Sequence, residues 1–517
     1  MRVCYEFRQR TARACALALG LLSGLSATPG YAALEDGKWF LYSSKHFEVY
    51  SKLKEKVVAQ RISDLEAFRA VVHLITGTTD KGEYNHPTKL VLLPTQSQIE
   101  GVYKIPGAAG FMRPGLRSNL LVIGKHHKSN ILSSANEIAF HEYVHYLVRN
   151  ATSFNYPTWY DEGFAELFSS TEFKDDRARF GVIPKKSAYS ILSERRMPLA
   201  KVLSVNSTFS LPRRKRLPFY ARSWLLVHYL QLSEQAGTQK LRSKSKDFLK
   251  KYNEGADPEK AFVEVFGMPL QTFDKELKAY EKTNLPSYSV PLDRLDYDKT
   301  HTRTRLTEAE IAYELAYQIV EQNPVYARKL FKRILKSAPE DARAIAGLGV
   351  TWQMQEDFKQ ARTYMEKAVA LAPDDYLLHI EIADLIFAAC VSSDWAECGW
   401  DQSRQSYAQH TETAYRLAPE LLETKVNYAR TLNILDRGDE VLPIAESAHA
   451  LAPWNLQVLI TLGIAQLQSN QLDQGEKTLN RALGWSGETP GIQAEIRKAL
   501  MEVELNRRAK KVSTQEN

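Results

Sequence analysis

Residues 137–150 read EIAFHEYVHYLVRN, and they decide how the first part of the chain is interpreted. The pattern from residue 133 onward is mostly helical. On a helix, His141 and His145 are four positions apart and project from one face, with Glu142 between them. This is the HExxH arrangement, in which two histidines bind zinc and the glutamate accepts a proton from the attacking water. The sequence therefore predicts a zinc-binding helix; two hydrogen-bonded core histidines are the simpler alternative.

The segment 157–166, PTWYDEGFAE, supplies candidates for a third ligand. Catalytic zinc usually has three protein ligands and one open position. Glu162 follows His145 by 17 positions, which is enough chain for a second helix to turn back and pack against the first. We expect Glu162 to be the third ligand, and Asp161 and Glu166 to orient the histidines from outside the metal. A solvated pair of glutamates is the alternative, but the apolar neighbours indicate a buried helix, where a carboxylate needs a partner.

Together these two segments resemble the gluzincin metallopeptidases, in which the glutamate of an N/D-E-G-F-A segment is the third zinc ligand. Residues 220–230, YARSWLLVHYL, resemble a later gluzincin helix whose first tyrosine donates a hydrogen bond to the tetrahedral oxyanion. The resemblance covers residues 85–285. It implies an α+β gluzincin-like metallopeptidase domain, one Zn²⁺ per chain, a polypeptide substrate and an oxyanion-binding role for Tyr220. An ordinary core tyrosine is the alternative at that position.

The aminopeptidases of this family hold the substrate N-terminus with the glutamate of a G-x-M-E-N strand. The equivalent stretch here, residues 107–123, contains Gly110-Phe-Met-Arg-Pro and no acidic residue. The resemblance therefore implies an endopeptidase rather than an aminopeptidase. We also expect the apolar strand Asn119–Ile123 to be an exposed edge that pairs with extended substrate.

The chain divides into regions of different pattern. Residues 34–285 mix strand and helix patterns and form the predicted metallopeptidase-like domain. Residues 286–307 are polar, contain two prolines and lack a period, which is typical of a linker. Residues 308–507 repeat at intervals of 34 positions, with prolines at 339 and 373 and again at 419 and 453.

The small and large residues within these units fall at the positions of tetratricopeptide (TPR) repeats. We predict five such repeats, the third about 12 residues longer than the others, closed by a polar capping helix at 490–507. The predicted architecture is thus an all-α TPR solenoid after the α+β domain, with a disordered tail at 508–517. The concave face of the solenoid is predicted to recruit a partner protein or the substrate.

The first 33 residues combine a basic start, an apolar run and the small residues Gly30 and Ala32, which is typical of a signal peptide cleaved after Ala32 or Ala33. We expect a periplasmic or secreted protein with no transmembrane segment in the mature chain. Cys390 and Cys398 would then remain in an oxidising compartment, where a disulfide is predicted, with two isolated thiols as the alternative.

The net charge of +7 is spread along 517 residues and does not form the basic stripe of a nucleic-acid-binding protein. Two hypotheses from other functional classes remain. The leading hypothesis is a periplasmic zinc metallopeptidase whose repeats recruit a protein. The alternative is a catalytically weak or inactive envelope scaffold that acts through protein–protein contacts of the repeats.

Overall fold

The computed structural model describes residues 34–515 except 78–86, 106–109, 125–134, 151–154, 185–195, 209, 236, 238–239, 393–399, 436 and 487–489. The predicted signal peptide, residues 1–33, lies outside the described residues, so its cleavage stays a prediction. Among the helices of the described part, none combines the length and the apolar composition needed to cross a membrane.

Residues 34–305 fold into two sheets with helices around them. The strands are β1 Phe40–Ser43, β2 Phe47–Ser51, β3 Thr88–Leu93, β4 Gly110–Arg113, β5 Leu120–Gly124, β6 Glu172–Lys174, β7 Arg177–Phe180, β8 Tyr288–Pro291 and β9 Thr302–Arg305. The helices are α1 Glu55–Thr76, α2 Gln96–Tyr103, α3 Ala135–Asn150, α4 Thr158–Ser169, α5 Leu199–Leu203, α6 Arg213–Leu232, α7 Arg242–Asn253, α8 Pro258–Phe266 and α9 Leu270–Glu281.

The larger sheet has the strand order β4-β5-β3-β2-β1-β9. Its central strands β2, β3 and β5 are parallel, whereas β4, β1 and β9 each pair antiparallel with a neighbour. The expectation that Asn119–Ile123 is an exposed edge is wrong, because β4 pairs with β5 and forms the edge instead. Four residues that begin with a glycine are too short a run for β4 to be recognised from the sequence.

The larger sheet is apolar on both faces, and each face is covered. Along β3, Leu90 and Leu92 join the core formed with α1 and α3. Val91 and Leu93 point to the opposite side and join a second core. That core contains Leu315, which lies on the first helix after β9. The alternation follows from the two-residue period of a strand.

The segment 286–307 is not an unstructured linker. β8 completes an antiparallel sheet in the order β6-β7-β8, and β9 extends the larger sheet beside β1. β9 reads TRTR and all four of its side chains are exposed, so it has no apolar face that a pattern could detect. Its strand is held by main-chain pairing and by Arg303, whose guanidinium lies 3.8 Å from the centre of the Phe40 ring.

Helix pairs occupy the region of the predicted repeats. They are α10 Glu308–Ile319 with α11 Pro324–Ser337, α12 Ala342–Gln353 with α13 Phe358–Leu371, α14 Tyr376–Ser392 with α15 Trp400–Leu417, α16 Leu422–Ile434 with α17 Gly438–Leu451, and α18 Leu456–Gln468 with α19 Leu472–Trp485. The first helices of successive pairs contact one another, so α10, α12, α14, α16 and α18 form one continuous surface. The described residues of this region are thus an all-α solenoid.

The long third unit has longer helices. α14 contains 17 residues and α15 contains 18, whereas α12 and α13 contain 12 and 14. Cys390 is buried in α14 and is disulfide-bonded. Cys398 lies outside the described residues, so the pairing of these two cysteines stays a prediction.

The solenoid ends in α20, Pro490–Gln515, at the place predicted for a capping helix. The prediction of a disordered tail at 508–517 is wrong up to residue 515, because the helix continues through it. Arg507 contacts Glu476 of α19 at 2.7 Å and also pairs with Asp473, which ties α20 to the preceding pair. The following Arg, Ala and Lys residues are good helix formers and prolong it.

Among the contacts between the solenoid and the first part of the chain, two lie far apart along the solenoid. At its beginning, α10 covers the larger sheet. Near its end, Trp454, in the turn before α18, packs edge-on against Tyr146 of α3 with ring centres 5.1 Å apart. Both aromatic side chains are buried. The solenoid therefore curves around the helix that carries the HExxH residues.

We predict that residues 34–305 do not fold stably without α10. Removing that helix uncovers the face that Ile311, Leu315 and Ile319 bury, and each such side chain contributes about 1.5–3 kcal/mol. A chain ending at residue 341 should melt cooperatively by circular dichroism. A chain ending at residue 305 should melt broadly and bind a hydrophobic dye; equally cooperative melting of both would contradict the shared core.

Candidate metal centre

Two helices bring the predicted ligands together. α3 presents His141 and His145 one turn apart, so their Nε2 atoms lie 3.3 Å from each other. α4 presents Glu162, whose Oε2 lies 3.2 Å from Nε2 of His141 and 3.5 Å from Nε2 of His145. These three residues are the group among the described residues whose donor atoms could hold a metal ion.

The spacing of the three donor atoms matches one face of a tetrahedron. Zinc binds imidazole nitrogen and carboxylate oxygen at about 2.0–2.1 Å, which gives tetrahedral edges of about 3.3–3.4 Å. The three measured separations, 3.2, 3.3 and 3.5 Å, fall around that value. Each of the three side chains is 12–14% exposed, so the cluster is not sealed from solvent. The donor set therefore fits a divalent ion with one open position.

Close packing of α4 on α6 places Glu162. At Gly163, a Cβ would lie 2.4 Å from the backbone oxygen of Ser223 on α6, which no side chain could tolerate. Glycine at this position lets the two helix backbones touch, and the neighbouring Glu162 then faces α3. This also explains why the segment after the glutamate contains a glycine in the middle of a helix, where glycine is otherwise unfavourable.

The other ring nitrogens of the histidines meet carboxylates. Nδ1 of His141 lies 3.1 Å from Glu166, which is completely buried, and Nδ1 of His145 lies 3.1 Å from Asp161. Whether the two carboxylates orient metal-bound histidines stays a prediction. Contacts of this kind fix which nitrogen faces the metal and hold the ring orientation.

The charges of the cluster favour a positive group at its centre. Burial tends to raise the pKa of Glu162, but hydrogen bonds from the two histidines outweigh it and lower the pKa to about 2. Burial tends to lower the pKa of His145, but the carboxylates of Asp161 and Glu162 outweigh it and raise the pKa. Three carboxylates around two imidazoles therefore stabilise positive charge at the centre of the cluster, and a divalent ion can supply it.

Glu142 and Tyr220 lie on the borders of this cluster. Glu142 is half-buried on α3, next to His141 in the chain. Tyr220 of α6 packs edge-on against His141, with ring centres 6.1 Å apart. Burial and the charges of Glu162, Glu166 and Glu142 raise the pKa of Tyr220, so its phenol keeps its proton and remains a hydrogen-bond donor.

Some neighbours of the site carry no sequence signal. Thr208 hydrogen-bonds to the Tyr220 side chain from the chain before α6, and nothing in the local pattern marks it. By contrast, His228 on α6 belongs to the core: its Nε2 contacts the carbonyl oxygens of Gly181 and Pro286, and its Nδ1 contacts the Tyr280 hydroxyl. His228 is therefore a structural histidine.

Comparison with known proteins identifies the repeat region. Residues 434–494 match the tetratricopeptide repeat family. This match covers parts of α16 to α20 and none of the metal-centre residues. No match to the chain was found among curated proteins.

Among solved structures, repeat proteins align with this chain. A thermophilic TPR protein of Thermus thermophilus is 18% identical, covering 37% of this chain and 99% of its own, with a TM-score of 0.31. YrrB, described as a TPR protein with an unusual peptide-binding site, is 16% identical over 38% of this chain and 92% of its own, with a TM-score of 0.28. MamA is 14% identical over 34% and 91%, with a TM-score of 0.25. At such scores these likenesses carry no argument about this chain's ligands.

We predict that the purified chain contains about one zinc ion and that Glu162→Ala loses most of it, because two imidazoles alone bind zinc more weakly than three ligands. Elemental analysis after dialysis measures the content. Glu172→Ala, a change of an exposed glutamate on β6, is the matched control and should keep its zinc. Full occupancy in Glu162→Ala would show that the third ligand is another residue.

Proposed function

We propose that the chain is a zinc-dependent endopeptidase whose TPR solenoid binds another protein. The observation that carries the peptidase proposal is the triangle of His141, His145 and Glu162, with donor separations suited to a tetrahedral ion. A bound zinc ion would lower the pKa of a water molecule and polarise a carbonyl group. The tetratricopeptide match at 434–494 supports the protein-binding part.

Glu142 and Tyr220 have complementary roles in this proposal. Glu142 accepts the proton of the attacking water and later delivers it to the leaving amine nitrogen. Tyr220 donates a hydrogen bond to the oxygen that becomes negative as the scissile carbonyl turns tetrahedral. Its raised pKa suits it as a donor, since the phenol stays protonated at neutral pH.

The edge strand β4 is the proposed place for substrate. It lies against α3 so closely that a Cβ at Gly110 would be 2.8 Å from Ile138. Among the described strands β4 pairs with β5 alone, and an extended peptide can add to the other side of such a strand. Because β4 reads GFMR, it offers no carboxylate to hold a substrate N-terminus, and internal peptide bonds are the proposed target.

The second candidate is a scaffold without significant catalysis. The observation in its favour is that the family match, at residues 434–494, concerns tetratricopeptide repeats. In this case the metal cluster would stabilise the packing of α3 on α4. The two candidate functions differ in whether Glu142 is needed. Glu142 is not one of the three residues that would bind the metal, so it matters for catalysis and not for the stability of the site.

We predict that Glu142→Gln lowers hydrolysis of unfolded casein by about 10²–10⁴-fold, since it removes the proton acceptor. Zinc content and melting temperature should stay those of the unaltered chain. Glu172→Gln serves as the matched surface control and should retain activity. Equal activity of Glu142→Gln and the unaltered chain, or no metal-dependent hydrolysis at all, would favour the scaffold.

We predict that Tyr220→Phe lowers kcat by about 10²–10³-fold while KM and zinc content change little, because the hydroxyl acts only on the developing oxyanion. The control is Tyr229→Phe on the same helix, whose hydroxyl donates to Glu276 away from the cluster. Steady-state kinetics distinguish the two variants. A kcat for Tyr220→Phe no lower than that of the control would exclude the assignment.

A further inference from the structure

The turn between β4 and β5 reaches into the solenoid. Arg117 in this turn is 306 positions away in the chain from its partner Glu423 on α16. Its Nε donates to one carboxylate oxygen of Glu423 and its Nη2 to the other, each at 2.8 Å. The same Nη2 lies 3.4 Å from Glu381 on α14. This is a two-pronged guanidinium–carboxylate contact, the strongest and most directional kind of ion pair.

Glu423 and Glu381 form a pocket for Arg117, and this pocket also contains an aromatic ring and has an apolar neighbour. The guanidinium carbon lies 4.2 Å from the centre of the Tyr317 ring on α10, a cation–π distance. The preceding residue, Leu116, packs on the apolar cluster of Leu422 and Val426. The solenoid therefore binds the dipeptide Leu116–Arg117 through an apolar contact followed by an arginine pocket.

The two carboxylates of the pocket depend on a cation. Glu381 is 6% and Glu423 is 8% exposed, so both are nearly removed from water. Two buried carboxylates without a positive partner would be strongly destabilised. Any segment that displaces Arg117 must therefore bring a positive group of its own, and a guanidinium fits the geometry best.

The pocket lies on the surface that a solenoid uses for ligands. Tyr317, Glu381 and Glu423 lie on α10, α14 and α16, which are all first helices of their pairs and form one continuous surface. A small cavity lined by Tyr313 of α10 and Arg343 of α12 adjoins Glu381 on the same surface. Solenoids bind extended segments along such surfaces.

We propose that this surface is a binding site for arginine-containing peptide segments, and that the chain's own Leu116–Arg117 occupies it until a partner protein with an apolar residue followed by arginine displaces it. The proposal deepens the protein-binding part of the proposed function and rests on it. Displacement would release the turn that follows β4. Because β4 lies against α3, binding of the partner would change the position of β4 beside the helix that carries His141 and His145.

The test measures peptide binding to the Arg117→Ala chain, in which the pocket is empty. The probe is a fluorescent peptide with the sequence of residues 111–119, FMRPGLRSN, and its matched control carries alanine in place of the second arginine. Fluorescence anisotropy should give roughly 30-fold or tighter binding of the arginine peptide over the control. Arg117→Ala combined with Glu423→Gln should lose this preference. Equal binding of both peptides, or binding of neither to a folded variant, would overturn the proposal.

A second measurement uses the unaltered chain and does not depend on the stability of the variant. The tethered turn competes at an effective concentration of the order of millimolar, so the peptide is added at about 1 mM. Hydrogen exchange of the amides in residues 115–119 should become faster with the arginine peptide and not with its control. Unchanged exchange would overturn displacement. Neither readout uses hydrolysis, so failure of the peptidase proposal would leave both results interpretable.

Discussion

Each of the two apolar faces of the larger sheet must be buried by helices. Those helices carry the residues of both candidate functional sites. Along β3, Leu90 and Leu92 face α1 and α3, whereas Val91 and Leu93 lie in a core shared with α2 and α10. α3 carries His141 and His145, and α10 begins the solenoid. Because both helices pack on one sheet, the candidate metal site and the repeats have a fixed relative position and are not joined by a flexible linker.

Buried carboxylates shape both proposed sites. Around the histidines, Glu162 and its two acidic neighbours create a demand for positive charge that a divalent ion can meet. In the solenoid, Glu381 and Glu423 create the same demand, and Arg117 meets it. A carboxylate that leaves water must be paired, so each cluster specifies the chemistry of what it binds. The first cluster would suit a metal ion, and the second pairs with the guanidinium of Arg117.

The sequence predicts those features that depend on short chain separations. Helical spacing puts His141 and His145 on one face, and the 34-residue period marks the repeats. The sequence does not reveal the pairing of β9, whose side chains are all exposed. Nor does it reveal the contact between Arg117 and Glu423, which are 306 positions apart. Such contacts depend on the assembled fold, and no local pattern encodes them. For the same reason, the segment 286–307 resembles a linker until its partner strands are known.

We propose that two histidines and a glutamate form a zinc site, and X-ray absorption at the zinc edge of the full chain measures the ligands themselves. We expect nitrogen and oxygen neighbours at about 2.0–2.1 Å, with a multiple-scattering pattern for two imidazoles and no sulfur. Sulfur neighbours at about 2.3 Å, or a spectrum without imidazole, would contradict it.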